Sequence, residues 1–344
     1  MSASSRPRAQ QGVTDEHLAS LRSHVSAELR EPVRDSITWL ANEIAATHGT
    51  TVLGVLFYGS CLRKETDEGV LDFWVIVDDY ASAHSKPGHA LLNGFAPPSV
   101  YYLEREYQDT ATDTTTHTTL RTKYGVVDRR AFERGTSFDA WQPYMWARFA
   151  QPARLVVCRD DDAQAFFDGA LTNAVVTFVG RLFCHLPDQS GLLRFSLPAF
   201  WQEAFRRTYD SERRPEGEEY IRGTYQENHA RYDAVATHAF HCLARARHLD
   251  EAMEHPRSFS ISVDPKRLRL MRWRWRAMRA LSRVIGLARL LKTTVTFGDW
   301  VPYALWKLEK HTGRKIELTP RQRKHPLIFA WPIIIPLLMR RNLR

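Results

Sequence analysis

The spacing of apolar residues changes period several times along this chain, and each change predicts an element. Leu18, Leu21, Val25 and Leu29 keep helical spacing, with Thr14 as a capping residue and two acids in the first turn. Pro32 ends that helix, and a second runs through Trp39, Leu40 and Ile44 towards Gly49. Residues 52–57 then form a β-branched apolar run of strand length, and residues 71–77 form another. Between them lie the Gly59-Ser60 break and a polar loop. Residues 100–103 (VYYL) read as a short strand, and 123–127 as a turn leading into a strand. The Thr-rich run 109–120 reads as a loop in preference to a β-edge. Residues 154–158 predict a strand. Phe166, Ala170, Ala174, Phe178 and Leu182 then share one face of a helix over 160–186 that Pro187 stops. Further helices are predicted over 197–209 and 220–249. The first of these carries an outward cluster of Arg206, Arg207, Tyr209, Glu212, Arg213 and Arg214.

Charge divides the chain where the pattern alone does not. From Asp264 to the end there are 20 Lys/Arg and 4 Asp/Glu, against 28 and 35 before it. Residues 266–292 hold ten basic residues and no acid, with Leu268, Met271, Trp275, Met278, Leu281 and Ile285 at i+3/i+4 spacing. A Trp/Leu stripe opposed by arginines suits a helix lying on an anionic membrane surface, where each cation contributes on the order of 1 kcal/mol. The competing reading makes the stripe core and the arginines a solvated face. Nucleic acid is a third partner for Arg with interleaved Trp, but no nucleic-acid module surrounds the helix and none is expected to bind. Residues 326–339 are fourteen mostly apolar residues broken by three prolines. As a helix they would reach only ~21 Å, short of the ~30 Å bilayer core, so 326–344 is read as an interfacial anchor. Four cysteines without a CxxC pair argue against structural zinc or a disulfide framework. The N-terminus is polar and without an apolar core, so secretion is not expected. Its acid-free Ser/Arg composition is also that of an organelle transit peptide.

The chemistry concentrates at 57–79, FYGSCLRKETDEGVLDFWVIVDD. A Gly-Ser turn lets backbone N–H groups and a hydroxyl approach triphosphate oxygens. Twelve residues on, Asp72 opens the next strand, where a carboxylate can hold Mg²⁺. That pattern is the one found in the nucleotidyltransferase superfold. The superfold pairs this acid with another two residues on, and here that position is Trp74. Gly59 and Ser60 are therefore assigned to the triphosphate, Asp72 to the metal, and Lys123 to phosphate as a mobile point charge. Asp78 and Asp79 stand ~20 Å from Asp72 along an extended strand. They cannot share its ion unless the chain bends. One of them then binds ribose, a second metal or the following helix, or both are solvated strand-end acids. Asp78 is assigned to metal and Asp79 to nucleotide.

Five elements occur in one order: YGS (58–60), LDFWVIVDD (71–79), VYYL (100–103), KYGV (123–126) and W-x-x-x-x-WARFAQP (141–152). Over residues 50–215 the chain resembles the mitochondrial phosphatidate cytidylyltransferase family, the translocator assembly and maintenance proteins. That resemblance implies an α/β nucleotidyltransferase domain and then a helical domain. It also implies a peripheral membrane enzyme that joins CTP to phosphatidic acid with a divalent metal. Tyr58 and Tyr124 lie in matching elements and His84 falls where the family has a histidine, so all three are assigned to the nucleotide. Arg148 lies in the last element and, with Tyr209, Arg213 and Arg214 further on, is assigned to the lipid phosphate that the resemblance implies. The departures are Cys61 in place of a third small residue, a shorter loop after Asp79, and a last element without its Gly and Lys. The basic tail does not align. The resulting expectation is a disordered tail (1–14), a nucleotidyltransferase domain (15–155), a helical domain (156–255) and a basic membrane-binding region (256–344). The preferred location is the cytoplasmic face of a bacterial inner membrane, with the mitochondrial inner membrane as the other.

Overall fold

Two helices, α1 (Arg8–Leu29) and α2 (Asp35–Ala46), precede the first strand. The computed structural model describes residues 8–83, 93–94, 97–109, 116–212, 217–246, 250–255, 257–296 and 319. Strand β1 (Val52–Tyr58) leads through a one-turn helix, α3 (Ser60–Arg63), into β2 (Val70–Val77). Another single turn, α4 (Tyr80–Ala83), follows. Strands β3 (Ser99–Asp109), β4 (Thr116–Asp128) and β5 (Ala153–Cys158) complete a five-stranded mixed sheet of order β3-β4-β2-β1-β5. β2 and β4 are parallel, and the other neighbours are antiparallel. Between β4 and β5 lie the short helices α5 (Arg129–Thr136) and α6 (Trp146–Phe149).

Strand alternation sorts the two faces. Leu71, Phe73, Val75 and Val77 of β2 pack with Ile37, Leu40 and Ile44 of α2. Asp72, Trp74 and Ile76 lie on the opposite face, and Trp74 and Ile76 join a second core. Its other wall is helical: α7 (Asp161–Leu182), α8 (Leu197–Ser211), α9 (Glu218–Gln226), α10 (His229–Ala246) and α11 (Pro265–Thr296). A small antiparallel sheet, β6 (Asp188–Gln189), β7 (Leu192–Ser196), β9 (Ser258–Ser262) and β8 (Asp250–His255), lies beside them. This second core runs without a break from Leu21 and Trp74 through Trp146 and Phe178 to Trp275 and Met278.

Several elements differ from the sequence-based expectation. Helix α1 begins at Arg8, upstream of the Thr14 cap. The Thr-rich run is strand at Thr116–Leu120, because β3 pairs with β4 along the whole length of β3, out to Asp109 opposite Thr116. The helix expected over 220–249 is two helices separated at 227–228. The β8–β9 hairpin was not expected.

Helix α11 forms where the sequence predicts it, but the first four residues of the expected stripe face the protein. Leu268, Trp275 and Met278 are buried and Met271 packs against them. Arginines tie the helix down. Arg272 donates to Cys184 O (2.7 Å) and Asp188 Oδ1 (2.5 Å), and Arg279 and Arg283 reach Asp210 at 2.8 and 3.1 Å. Leu281, expected in that stripe, is instead exposed together with Leu270, Trp273, Val284 and Leu287. No helix of the described residues is long and apolar enough to cross a membrane. Residues 326–344 lie outside the described residues.

Candidate active site

Four side chains lie in register across the large sheet. Tyr58 on β1 faces Asp72 on β2, Asp72 faces Lys123 on β4, and Lys123 faces Tyr102 on β3. Lys123 Nζ lies 3.0 Å from Asp72 Oδ1. The lysine is 40% exposed and the aspartate 16%, so the pair sits at an open edge of the core. Tyr58 accepts a hydrogen bond from Trp74 Nε1 at 3.3 Å. Burial, then the Asp72 carboxylate, raises the Tyr58 pKa and keeps the phenol protonated.

Gly59 closes this row from the β1 side. Its φ is +95° and a Cβ there would lie 2.9 Å from Asp72 Oδ2. Only glycine allows both the backbone conformation and that approach. Ser60 follows, exposed, at the start of α3. Cys61 fills the next position: it is buried and its Sγ lies 3.5 Å from Val70 O. Arg63 ends the turn and reaches α9 and the residue after it, donating to Tyr220 Oη (2.8 Å) and Glu227 Oε2 (3.3 Å).

Above Tyr58 lies a cationic layer. Arg148 donates two bonds to Glu212, at 2.6 and 2.9 Å, and stacks on the Tyr144 ring with Cζ 3.8 Å from its centroid. Burial lowers the Arg148 pKa, but Glu212, Tyr144 and Tyr58 outweigh it and the net direction is up. Arg289 of α11 also lies over Tyr144, at 3.9 Å, and donates to Pro97 O (2.8 Å) and Gln142 Oε1 (2.6 Å). Lys292 is buried beside it. Burial, then Arg289, lowers its pKa to about 8. Sequence reasoning missed Tyr144, Glu212, Arg289 and Lys292 as neighbours of the site. Glu212 was read as outward-facing, and only the path of α11 brings residues 289 and 292 here.

The remaining assigned residues separate. Asp78 lies at the far end of β2, bound to Arg159 at 2.7 Å. β2 pairs with β4 residue for residue from Val70 to Val77 with no bulge, so Asp78 stays at the opposite end of the strand from Asp72. Asp79 caps the next turn, accepting from Ser82 N–H (2.9 Å) and Ser82 Oγ (2.8 Å), and these bonds lower its pKa. Tyr124 is one residue beyond Lys123 and so points to the other face. There it stacks on Tyr101 at 5.4 Å and meets His48 edge-on at 5.9 Å. Tyr209 is buried against Phe205 instead of facing outward. Arg148 is occupied by Glu212. His84, Arg213 and Arg214 lie outside the described residues.

No family model and no curated protein matches this chain. The donor set itself tests the fit to Mg²⁺. Among the described residues no group of three or more His, Cys, Asp or Glu could hold an ion. Mg²⁺ commonly takes one or two carboxylates and completes its shell with substrate phosphates and water. Asp72 fits as that single protein ligand when a triphosphate supplies the rest.

Proposed function

We propose that this chain is a nucleotidyltransferase of the phosphatidate cytidylyltransferase type. It would join CTP to phosphatidic acid, giving CDP-diacylglycerol and pyrophosphate. The observation that carries the reading is Gly59 at positive φ, closed onto Asp72 with Lys123 at 3.0 Å. A turn, a carboxylate and a cation at one sheet edge are the parts that positioning a triphosphate requires. Gly59 and Ser60 hold phosphate oxygens, and Lys123 neutralises charge on the departing pyrophosphate. Asp72 would hold Mg²⁺, which supplies Lewis-acid stabilisation when bound. An acceptor phosphate oxygen forms the new bond to the α-phosphorus, and the bond from that phosphorus to the bridging oxygen breaks. The acceptor is already an anion, so no general base is needed.

Phosphatidic acid as acceptor rests on the five ordered motifs and on α11. Its exposed Leu270, Trp273, Leu281, Val284 and Leu287 stand among arginines, a composition suited to the headgroup layer of an anionic membrane. The test is pyrophosphate release with Mg²⁺, phosphatidic acid in mixed micelles, and each of CTP, ATP, GTP and UTP. Release requiring both CTP and the lipid, and lost in Asp72→Asn, supports the proposal. Nucleotide binding with no release points to a different acceptor.

A second reading, a membrane-docked adaptor with a degenerate core, is favoured by Trp74. That position is 2% exposed and packs edge-on against Phe149 at 5.3 Å. It contributes packing where the superfold has an acid. Failure of every nucleotide to bind would put this reading first.

A further inference from the structure

Helix α11 covers a pocket well away from the Asp72 row. Met271, Arg274, Trp275 and Met278 face Phe138 and Arg181 of the body across a volume of ≈ 230 Å³. The step from Met278, the pocket residue nearest along the helix, to Arg289 is eleven residues, or ~16 Å of helix. The pocket is therefore separate from the candidate active site and does not depend on the nucleotidyl-transfer reading.

Phe138, Met271, Trp275 and Met278 supply its apolar wall, and its charged groups are the cations Arg181 and Arg274. Arg181 stands at the end of α7 and Arg274 on α11. They are close enough to repel: burial first, then Arg274, lowers the Arg181 pKa, with Asp139 acting the other way. One terminal nitrogen of Arg181 donates to Phe138 O. Its Nε is buried with no hydrogen-bond partner among the described residues, and so is Trp275 Nε1. Two guanidiniums at one apolar cavity are unfavourable unless an anion lies between them. Arg274 is exposed, so that anion could enter from solvent.

We propose that this pocket binds an anionic headgroup and the first methylenes of one alkyl chain. Arg181 and Arg274 meet the headgroup, and Met271, Trp275 and Met278 line the chain. Methionine adapts its shape to flexible apolar ligands. The volume is below the roughly 300–1,000 Å³ of pockets for drug-sized ligands, so one chain end fits and a whole two-chain lipid does not. A fatty carboxylate and the phosphate of a single-chain lipid share this chemistry.

The test is calorimetric titration of the full chain with dodecyl phosphate and with laurate, both below micelle formation. Inorganic phosphate and dodecyltrimethylammonium serve as controls. Both anionic amphiphiles should bind one per chain, and the tighter of the two names the natural headgroup class. Arg274→Gln, at an exposed position that preserves the fold, should weaken binding at least tenfold, as should Arg181→Gln. Met271→Trp should block the chain. Native-like affinity in Arg274→Gln overturns the proposal, as does equal binding of the trimethylammonium compound or of inorganic phosphate alone. Binding that begins only at micelle formation overturns it too.

Discussion

Asp72 and Lys123 are direct neighbours on two parallel strands, and the lysine Nζ lies 3.0 Å from the aspartate Oδ1. A half-exposed pair of this kind contributes only about 0–1 kcal/mol to stability. A catalytic pair would be worth far more to the reaction. Asp72→Asn and Lys123→Gln are each expected to cut pyrophosphate release by about 10²-fold or more, with melting temperature almost unchanged. Lys123→Gln should also raise KM for the nucleotide. Parallel losses of stability and rate would instead make the pair structural.

Gly59 makes a sharper test of the turn. Alanine there meets a φ of +95° and a Cβ position 2.9 Å from Asp72 Oδ2. The backbone cost is about 1–2 kcal/mol, and the carboxylate must also move. Gly59→Ala is expected to lower the unfolding midpoint modestly and the rate strongly, because small misplacements near reacting groups are costly. Thermal melts and initial rates on one preparation separate the effects. A variant with full activity would remove the turn from the site.

The local part of this arrangement is legible in sequence because it is local. Strand, Gly-Ser turn and Asp72 lie within one supersecondary unit, where period and turn chemistry speak directly. Strand alternation gives the face of each residue, and it sets Tyr124 opposite Lys123 although the KYGV motif groups the two. Arg148–Glu212 and Arg289–Tyr144 join residues 64 and 145 positions apart, and no periodicity encodes such pairs. The stripe on α11 was found, but composition could not say which of its two apolar faces meets the core. Burial of Trp275 and exposure of Trp273 decide that only in three dimensions.

The exposed face of α11 gives a prediction of its own. Trp273 is 62% exposed and Leu287 57%, and neither holds the helix in place. Trp273→Ser with Leu287→Ser should weaken sedimentation with phosphatidic-acid vesicles severalfold while leaving the fold intact. Neutral vesicles should bind poorly in either form, since the arginines contribute only through attraction to anionic lipid. Unchanged sedimentation would move membrane contact elsewhere on the chain.

Arg148 and Glu212 are both largely buried and joined by two bonds. Removing the Glu212 charge leaves the buried Arg148 guanidinium without its carboxylate, so Glu212→Gln is expected to cost about 3–5 kcal/mol in denaturant unfolding. The double variant Arg148→Met, Glu212→Leu should recover most of that, since an apolar pair of similar volume replaces the ion pair. If the double variant is stable but has a raised KM for the lipid acceptor, Arg148 also touches substrate. A normal KM confines it to support.

His185 is expected to contribute to the loss of stability in acid. It packs edge-on to Trp275 at 5.6 Å. Burial, then Arg207, Arg272 and Arg276, lowers its pKa from 6.5 to about 3. A histidine with a depressed folded pKa is protonated first in the unfolded chain. Its contribution is therefore complete above pH 6.5 and is lost as pH falls from there towards 3. The slope is about 1.4 kcal/mol per pH unit, or about 2 kcal/mol between pH 6.5 and 5. His238, lowered by burial and then by His17, His24 and His241, acts in the same direction at the α1–α10 contact. His185→Phe keeps an aromatic edge against Trp275 and removes the titrating nitrogen. Urea midpoints measured from pH 7 to pH 5 should fall less steeply in that variant than in the native chain. An identical slope would assign the acid sensitivity to the histidines between α1 and α10.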